Sequence, residues 1–152
     1  MSGDGNGWVI CSRGHRHWGR FGAAGILVTD GARVLLQHRA PWTHEGGTWA
    51  LPGGARDSHE DAVAAALREA VEETTLDPAH VVTFGEWVDE HGGWSYTTVL
   101  AHTAVLTEPA PANAESVAVR WWGLDEVAGL DLHAGFAAAW PHLRDRLVQR
   151  ER

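Results

Sequence analysis

The chain has 152 residues, 44% hydrophobic and 21% charged, with a formal net charge of −8, which suits one domain with a real core and leaves no room for a second of ordinary size. The acidic balance excludes a general nucleic-acid binder, which needs a basic stripe against phosphates, and no apolar run approaches the roughly 20 residues of a bilayer-spanning helix. All twelve basic residues are arginine, which excludes lysine-nucleophile and Schiff-base chemistry, so an anionic substrate would have to be met through a metal.

Residues 1–20 are glycine-rich and polar, with Cys11, His15 and His17 close together. Three candidate ligands fall short of the four that a structural zinc site takes, so a flexible or edge extension is expected ahead of a single domain over residues 21–150. The segment has no apolar core behind a basic start, which argues against a signal peptide and for a cytoplasmic location. Cys11 is the sole cysteine; it excludes an internal disulfide and reads as a buried or inert thiol.

From Phe21 the pattern turns β-rich. FGAAGILVTD and GARVLLQHR meet at Asp30-Gly31, a pair that supplies the positive φ angles of a tight hairpin, so strands are expected at 21–29 and 32–39. Thr48 to Leu51 reads as a short strand running into Pro52-Gly53-Gly54. A helix follows, with Asp57 or Ser58 as its cap and Asp57 with Glu60 as a capping box. Its apolar face is expected to be Val63, Ala66, Leu67, Ala70 and Val71, about 140° away from Glu69, Glu72 and Glu73 at roughly 100° per residue. Segments 80–90 and 94–106 flank a His91-Gly92-Gly93 turn and look like a second strand pair, TEPAPANAES is a loop, and Val117 to Gly123 is a further strand. A helical turn at Leu124 to Val127 precedes a closing helix in which Pro141 must act as a kink or a start.

The chemistry concentrates in LPGGARDSHEDAVAAALREAVEETTL, Leu51 to Leu76. Glu69, Glu72 and Glu73 stand at i, i+3 and i+4, on one face near the helix C-terminus, where mutual repulsion and the negative end of the dipole each cost on the order of a few tenths of a kcal/mol. A cation among them would relieve that cost, and a hard divalent ion that takes carboxylate oxygens while keeping places for water and phosphate fits the spacing. A solvated acidic helix face is the plainer explanation of three glutamates alone. Gly53, Gly54, Glu60 and Arg68 in fixed register turn the balance against it.

Gly54, five residues, Glu60, seven residues, then Arg68-Glu69-Ala70-Val71-Glu72-Glu73 through Leu76 resembles the Nudix box at every defining position except Thr75, which stands where the family has glycine. The resemblance implies an α/β/α sandwich with a central mixed β-sheet, an α/β (α+β) fold. It implies a Mg²⁺- or Mn²⁺-dependent pyrophosphohydrolase of nucleoside diphosphate compounds, with (d)NTP cleaved to NMP and pyrophosphate as the expected reaction. By resemblance Glu69, Glu72 and Glu73 are metal ligands, and Arg68 pairs with Glu60 or loop carbonyls in support. Glu115, ahead of Trp121, is the candidate for a further metal ligand or the general base, with Glu86, Asp89, Glu90 and His91 behind it; Glu72, Glu73, Glu115 and Arg68 form the catalytic set.

Gly53, Gly54, Trp94 and Tyr96 are expected at the substrate, with Trp42 and Trp49 as further stacking candidates and His59 as a polar neighbour. The partner is then a small nucleotide derivative, and a homodimer is common among such proteins. Thr75 motivates a rival reading, a nucleotide-binding module that has lost turnover, because the backbone there must adjust. A third reading builds a zinc or nucleic-acid module on Cys11 and the histidines.

Overall fold

The computed structural model describes residues 3–105 and 109–150, the side chain of Arg150 excepted. The strands are β1 Trp8–Ile10, β2 Arg16–Trp18, β3 Ala23–Thr29, β4 Arg33–Arg39, β5 Trp49–Ala50, β6 Gly53–Ala55, β7 Val81–His91, β8 Trp94–Thr103 and β9 Ser116–Gly123, and the helices are α1 Ala62–Glu73 and α2 Ala134–Arg150. Strands β3 to β9 make one mixed sheet in the path β5-β4-β3-β8-β7, with β6 also on β3 and β9 on β4. Among the described strands β3 and β8 are the pair that run parallel, with Ala23 opposite Tyr96 and Thr29 opposite His102.

Period-two alternation assigns the two faces of this sheet. Ala24, Ile26 and Val28 of β3, Leu35 of β4, and Val99 and Ala101 of β8 pack on Ala65, Ala66 and Ala70 of α1. The intervening Leu27, Val34, Leu36 and Leu100 pack on Phe136, Trp140, Leu143 and Leu147 of α2. Full burial of each large side chain is worth about 1.5–3 kcal/mol, so both helices are held by apolar contact and the three-layer sandwich follows.

The Asp30-Gly31 hairpin forms as expected: Asp30 Oδ1 accepts from the backbone N–H of Ala32 at 3.0 Å and of Arg33 at 2.8 Å, and Gly31 takes φ 105°. Strands β7 and β8 turn through Gly92 and Gly93, at φ 55° and 93°, with His91 already inside β7. The expected end of β8 at Leu106 and the start of the following loop at Thr107 and Glu108 lie outside the described residues. The turn expected at Leu124 to Val127 is followed by a single 3-10 turn at Val127–Gly129. Pro141 neither starts α2 nor ends it; it lies inside a helix that begins at Ala134.

Three local expectations are corrected. The cap of α1 is Asp61, which accepts from Ala64 N at 2.8 Å. Asp57 instead accepts from Gly5 N at 2.9 Å, and its own N–H donates to Glu60 Oε1 at 3.0 Å in the turn before the helix. Strand β6 was read as turn, yet Gly53–Ala55 pairs antiparallel with β3. Finally, Val71 is 48% exposed while Glu73 is only 3% exposed. At roughly 100° per residue the sheet-facing side is centred on Ala62, Ala66, Glu69 and Glu73. Alanines let α1 lie close to the sheet, so Glu69 and Glu73 lie on the packed side rather than opposite it, while Glu72 stays exposed at its edge.

The N-terminal extension is a small hairpin. β1 and β2 pair with Trp8 opposite Trp18, Val9 opposite His17 and Ile10 opposite Arg16. It is fastened to the domain where Ser12 N donates to Gly92 O at 2.8 Å and Trp94 Nε1 donates to Gly19 O at 2.9 Å.

Candidate active site

A cleft of about 770 Å³ opens over the C-terminal half of α1, and Gly53, Gly54, Arg68, Glu69, Glu72, Glu73, Trp94, Tyr96 and Glu115 all line it. Glu60 lies behind it, buried under Arg68. Pockets for small ligands span roughly 300–1,000 Å³, so the space is large enough for a nucleotide.

Arg68 is the hub of the wall. Its Nε donates to Glu60 Oε2 and its Nη2 to Glu60 Oε1, both at 2.8 Å, and Nη2 also donates to Ala55 O at 3.0 Å. Its Nη1 reaches Glu69 Oε1 at 3.0 Å and Glu72 Oε1 at 3.3 Å. Hydrogen bonds from Arg68 hold the Glu60 carboxyl below its usual range, while the guanidinium itself is pushed further up, first by Glu60. The fork-to-fork pair fixes the glycine turn against the helix.

Among the described residues no arginine pairs with Glu73. It accepts from Gly53 N at 3.1 Å, beside buried Gln37, which is itself fixed by Ser116 Oγ at 2.8 Å. Burial, then Glu69 and Glu115, pushes its carboxyl well above the usual range. Burial, then Glu72, raises Glu69 too. Buried oxygen donors that resist ionising when crowded are a fitting set for a hard divalent cation such as Mg²⁺ or Mn²⁺. Glu72, with its side chain 45% exposed, and Glu115, also exposed, stand at the solvent side of the same cleft.

Glu115 is delivered by a loop stitched to the end of α1. Asn113 Nδ2 donates to Glu72 O at 3.1 Å, Ala112 N to Glu73 O at 2.9 Å, and Ala40 N to Glu115 O at 2.9 Å. These bonds also satisfy carbonyls that a helix C-terminus leaves open, and they explain Thr75. The chain leaves α1 extended, with Thr74 at φ −135° and ψ 170°. Thr75 then exchanges bonds with Ala110, N to O at 2.9 Å and Ala110 N to Oγ1 at 2.8 Å. Among the described residues Glu45 is the one non-glycine with positive φ. A glycine is therefore not required at position 75, where the chain takes no positive φ.

The two glycines act through space they leave free. A Cβ on Gly54 would lie 2.6–2.8 Å from the Glu69 carboxylate, whereas one on Gly53 would meet backbone at Ala24 O, 2.6 Å, and Gly25 Cα, 2.7 Å, and Tyr96 Oη at 3.0 Å. Glu69 is a flexible side chain and can step aside; the sheet cannot. Gly54→Ala should therefore keep its melting temperature within a few degrees but lose activity, while Gly53→Ala should lose about 1–3 kcal/mol of stability by overpacking, as thermal melts of the two variants would show.

Tyr96 lies on the cleft floor over Gly53, its phenol pushed up by burial and then by Glu73. Trp94 is not an open platform: His17 stacks on it at 4.2 Å and 8°. Trp49 is also committed, stacked on His38 at 4.6 Å and packed in the α2 core, and Trp42 is 71% exposed outside the cleft lining. His59 is exposed, and it too is outside the lining. Sequence reasoning missed Arg39 and the Glu45–His133 pair, 2.9 Å apart, all of which line the cleft. No local pattern marks them, because the loop after β4 and the start of α2 meet only in the fold, where Glu45 Oε1 accepts from Ala134 N at 2.8 Å.

A family model described as the NUDIX domain matches residues 19–144. This chain belongs to the NUDIX family of hydrolases, and its chemistry is hydrolysis of phosphoric anhydride bonds. It is 50% identical over 155 residues to a Mycobacterium tuberculosis H37Rv protein named "Putative 8-oxo-dGTP diphosphatase 3", covering 95% of this chain and 71% of that one. It is 39% identical to a nucleoside triphosphate pyrophosphatase/Nudix hydrolase fusion protein of Bifidobacterium longum, where the match covers 94% of this chain and 32% of the other. The crystal structure of RenU, a Nudix hydrolase from M. smegmatis, superposes with a TM-score of 0.87 at 48% identity over 95% of this chain and 96% of that one.

Proposed function

We propose that the protein is a Mg²⁺- or Mn²⁺-dependent pyrophosphohydrolase that cleaves a nucleoside triphosphate to the monophosphate and pyrophosphate. The observation that supports it best is the convergence of Glu69, Glu72, Glu73 and Glu115 on one nucleotide-sized cleft. In this reading Glu69, Glu72 and Glu73 hold the metal, and Glu115, on the loop near Glu73, is the base. A bound divalent cation supplies charge neutralisation for the diphosphate and acidifies water.

The remaining work falls to the chain. Glu115, exposed on the loop facing α1, takes the proton of the attacking water as its oxygen bonds to phosphorus. The bond between the α-phosphorus and the α–β bridging oxygen breaks, and pyrophosphate departs with the electron pair. Arg68 keeps Glu69 and Glu72 oriented through its Nη1. Arg39, on the rim with its Nε given to His44 O at 2.9 Å, is placed to meet a phosphate. The bonds of Thr75 to Ala110, made without a positive φ, favour turnover over a binding module that has lost it.

The name of the M. tuberculosis relative puts an oxidised purine nucleotide among the substrates to try. Pyrophosphate release should be measured with Mg²⁺ over a panel containing the common nucleoside triphosphates, 8-oxo-dGTP, dinucleoside polyphosphates and nucleotide sugars. Release of pyrophosphate from a triphosphate, with the diphosphate-linked compounds slower, is the expected outcome. Silence across the panel, or turnover unchanged by Glu72→Gln and Glu73→Gln, would sink the reading.

A further inference from the structure

The N-terminal hairpin carries a second, chemically distinct set of donors. In β1 and β2 the register places Val9 opposite His17, and the pairing continues past the strand ends where Cys11 N donates to His15 O at 2.9 Å. Side chains alternate along a strand, so Cys11, His15 and His17 share one face, with Cys11 and His15 directly opposed and His17 on the diagonal. Gly14, at φ 81° and donating to Cys11 O at 2.9 Å, closes the turn that makes the juxtaposition possible. One ligand atom from each of the three residues lies within 4.8 Å of the others.

Two further observations point to a ligand. Among the described residues His17 Nε2 and His91 Nδ1 are buried with no hydrogen-bond partner, a costly state for groups that ordinarily find one. The two rings lie 5.2 Å apart between centroids, and His91 Nε2 is 3.2 Å from Asp89 Oδ2, the backing that metal-ligating histidines commonly have. The thiol of Cys11 is itself buried.

The geometry points to a borderline transition-metal site, of the Zn²⁺ class, on Cys11, His15 and His17, with His91 beside the fourth position. Sulfur and imidazole donors select such ions, whereas the all-oxygen set on α1 selects Mg²⁺ or Mn²⁺. The site is independent of the hydrolase assignment and bears on it only through position. His17, His91 and Trp94 line the cleft rim, so an ion there would clamp the hairpin against the β7–β8 turn.

Co²⁺ is the probe, added to the metal-stripped full chain. Because Cys11 is the sole cysteine, a thiolate-to-cobalt charge-transfer band can come only from it, and cobalt bound to the glutamates cannot produce one. The expected result is a saturable one-to-one band that Zn²⁺ bleaches, is lost in Cys11→Ser and is retained in Glu72→Gln. Affinity should fall more than about tenfold in His15→Ala and His17→Ala. His15 is exposed, so its variant tests ligation without disturbing packing. Absence of the band in the wild type, or an unchanged band in both histidine variants, overturns the proposal.

Discussion

Glu73→Gln is expected to reduce turnover by on the order of 10²–10⁴-fold, the scale of losing a positioned charged group from such a site, while making the metal-free protein more stable. The two effects share one cause. Glu73 is buried beside Glu69 with a single backbone donor, Gly53 N, and its carboxyl is pushed well above the usual range. A carboxyl whose folded pKa exceeds its unfolded one binds its proton more tightly in the fold, so stability is lost as pH rises from the unfolded value through the folded one.

Wild-type protein in chelator should therefore melt at a higher temperature at pH 5 than at pH 8, with Glu69 contributing in the same direction. Glu73→Gln should flatten that slope and gain on the order of 1 kcal/mol at pH 8, because the amide oxygen still accepts from Gly53. Mg²⁺ should raise the melting temperature of wild type at pH 8 and do so much less for the variant. Calorimetric melts at the two pH values, with and without Mg²⁺, check both halves. A variant that is inactive and less stable than wild type at pH 8 in chelator would contradict the account.

The legible parts of this molecule were those carried by local chemistry. Asp30-Gly31 marks its hairpin because the aspartate carboxylate and a positive-φ glycine act within four residues. The spacing of Arg68, Glu69, Glu72 and Glu73 is a helix-surface property, so it shows in the sequence as periodicity, whereas Glu60 lies in the turn before the helix. What stayed hidden depends on segments that meet only in the fold. Asp57 reads like a cap, but Gly5 and Arg68 compete for its carboxylate, so Asp61 caps instead. Gly53–Ala55 has no strand propensity and becomes a strand because β3 is there to pair with it. Trp94 looks like a base-stacking residue until His17, brought by the hairpin, covers one of its faces.

The acidic cluster itself illustrates the limit. Counting the three glutamates along the helix overlooks Arg68, which turns back along α1 and bridges Glu69 and Glu72 through one nitrogen. Much of the apparent repulsion is met internally, and the uncompensated charge narrows to Glu73. The sharper electrostatic argument for a cation comes from that single buried carboxylate and from Glu115 facing it.

Arg68→Ala should be the most destabilising of the substitutions considered. The guanidinium makes two 2.8 Å bonds to Glu60 and one of 3.0 Å to Ala55 O, and lies 3.6 Å from Asp57. Glu60 and Asp57 are both buried, so removing their cation strands two carboxylates away from water. Breaking a buried pair in this way costs about 3–5 kcal/mol, discounted toward the lower end because the Arg68 side chain keeps 30% exposure.

Arg68→Lys should recover part of that loss, since one ammonium cannot reproduce the two parallel bonds and the carbonyl contact at once. The acid limb gives the specific signature. Glu60 titrates below its usual range in the fold, so the stability it contributes is present above the unfolded carboxylate pKa and is lost as pH falls through the folded value. Denaturant unfolding between pH 3 and pH 7 should show wild type losing stability steeply at the acid end and Arg68→Ala nearly flat there. Parallel curves for the two proteins would mean that the Arg68–Glu60 pair does not hold the glycine turn, and that the cleft wall is fixed by the pairing of β6 with β3 instead.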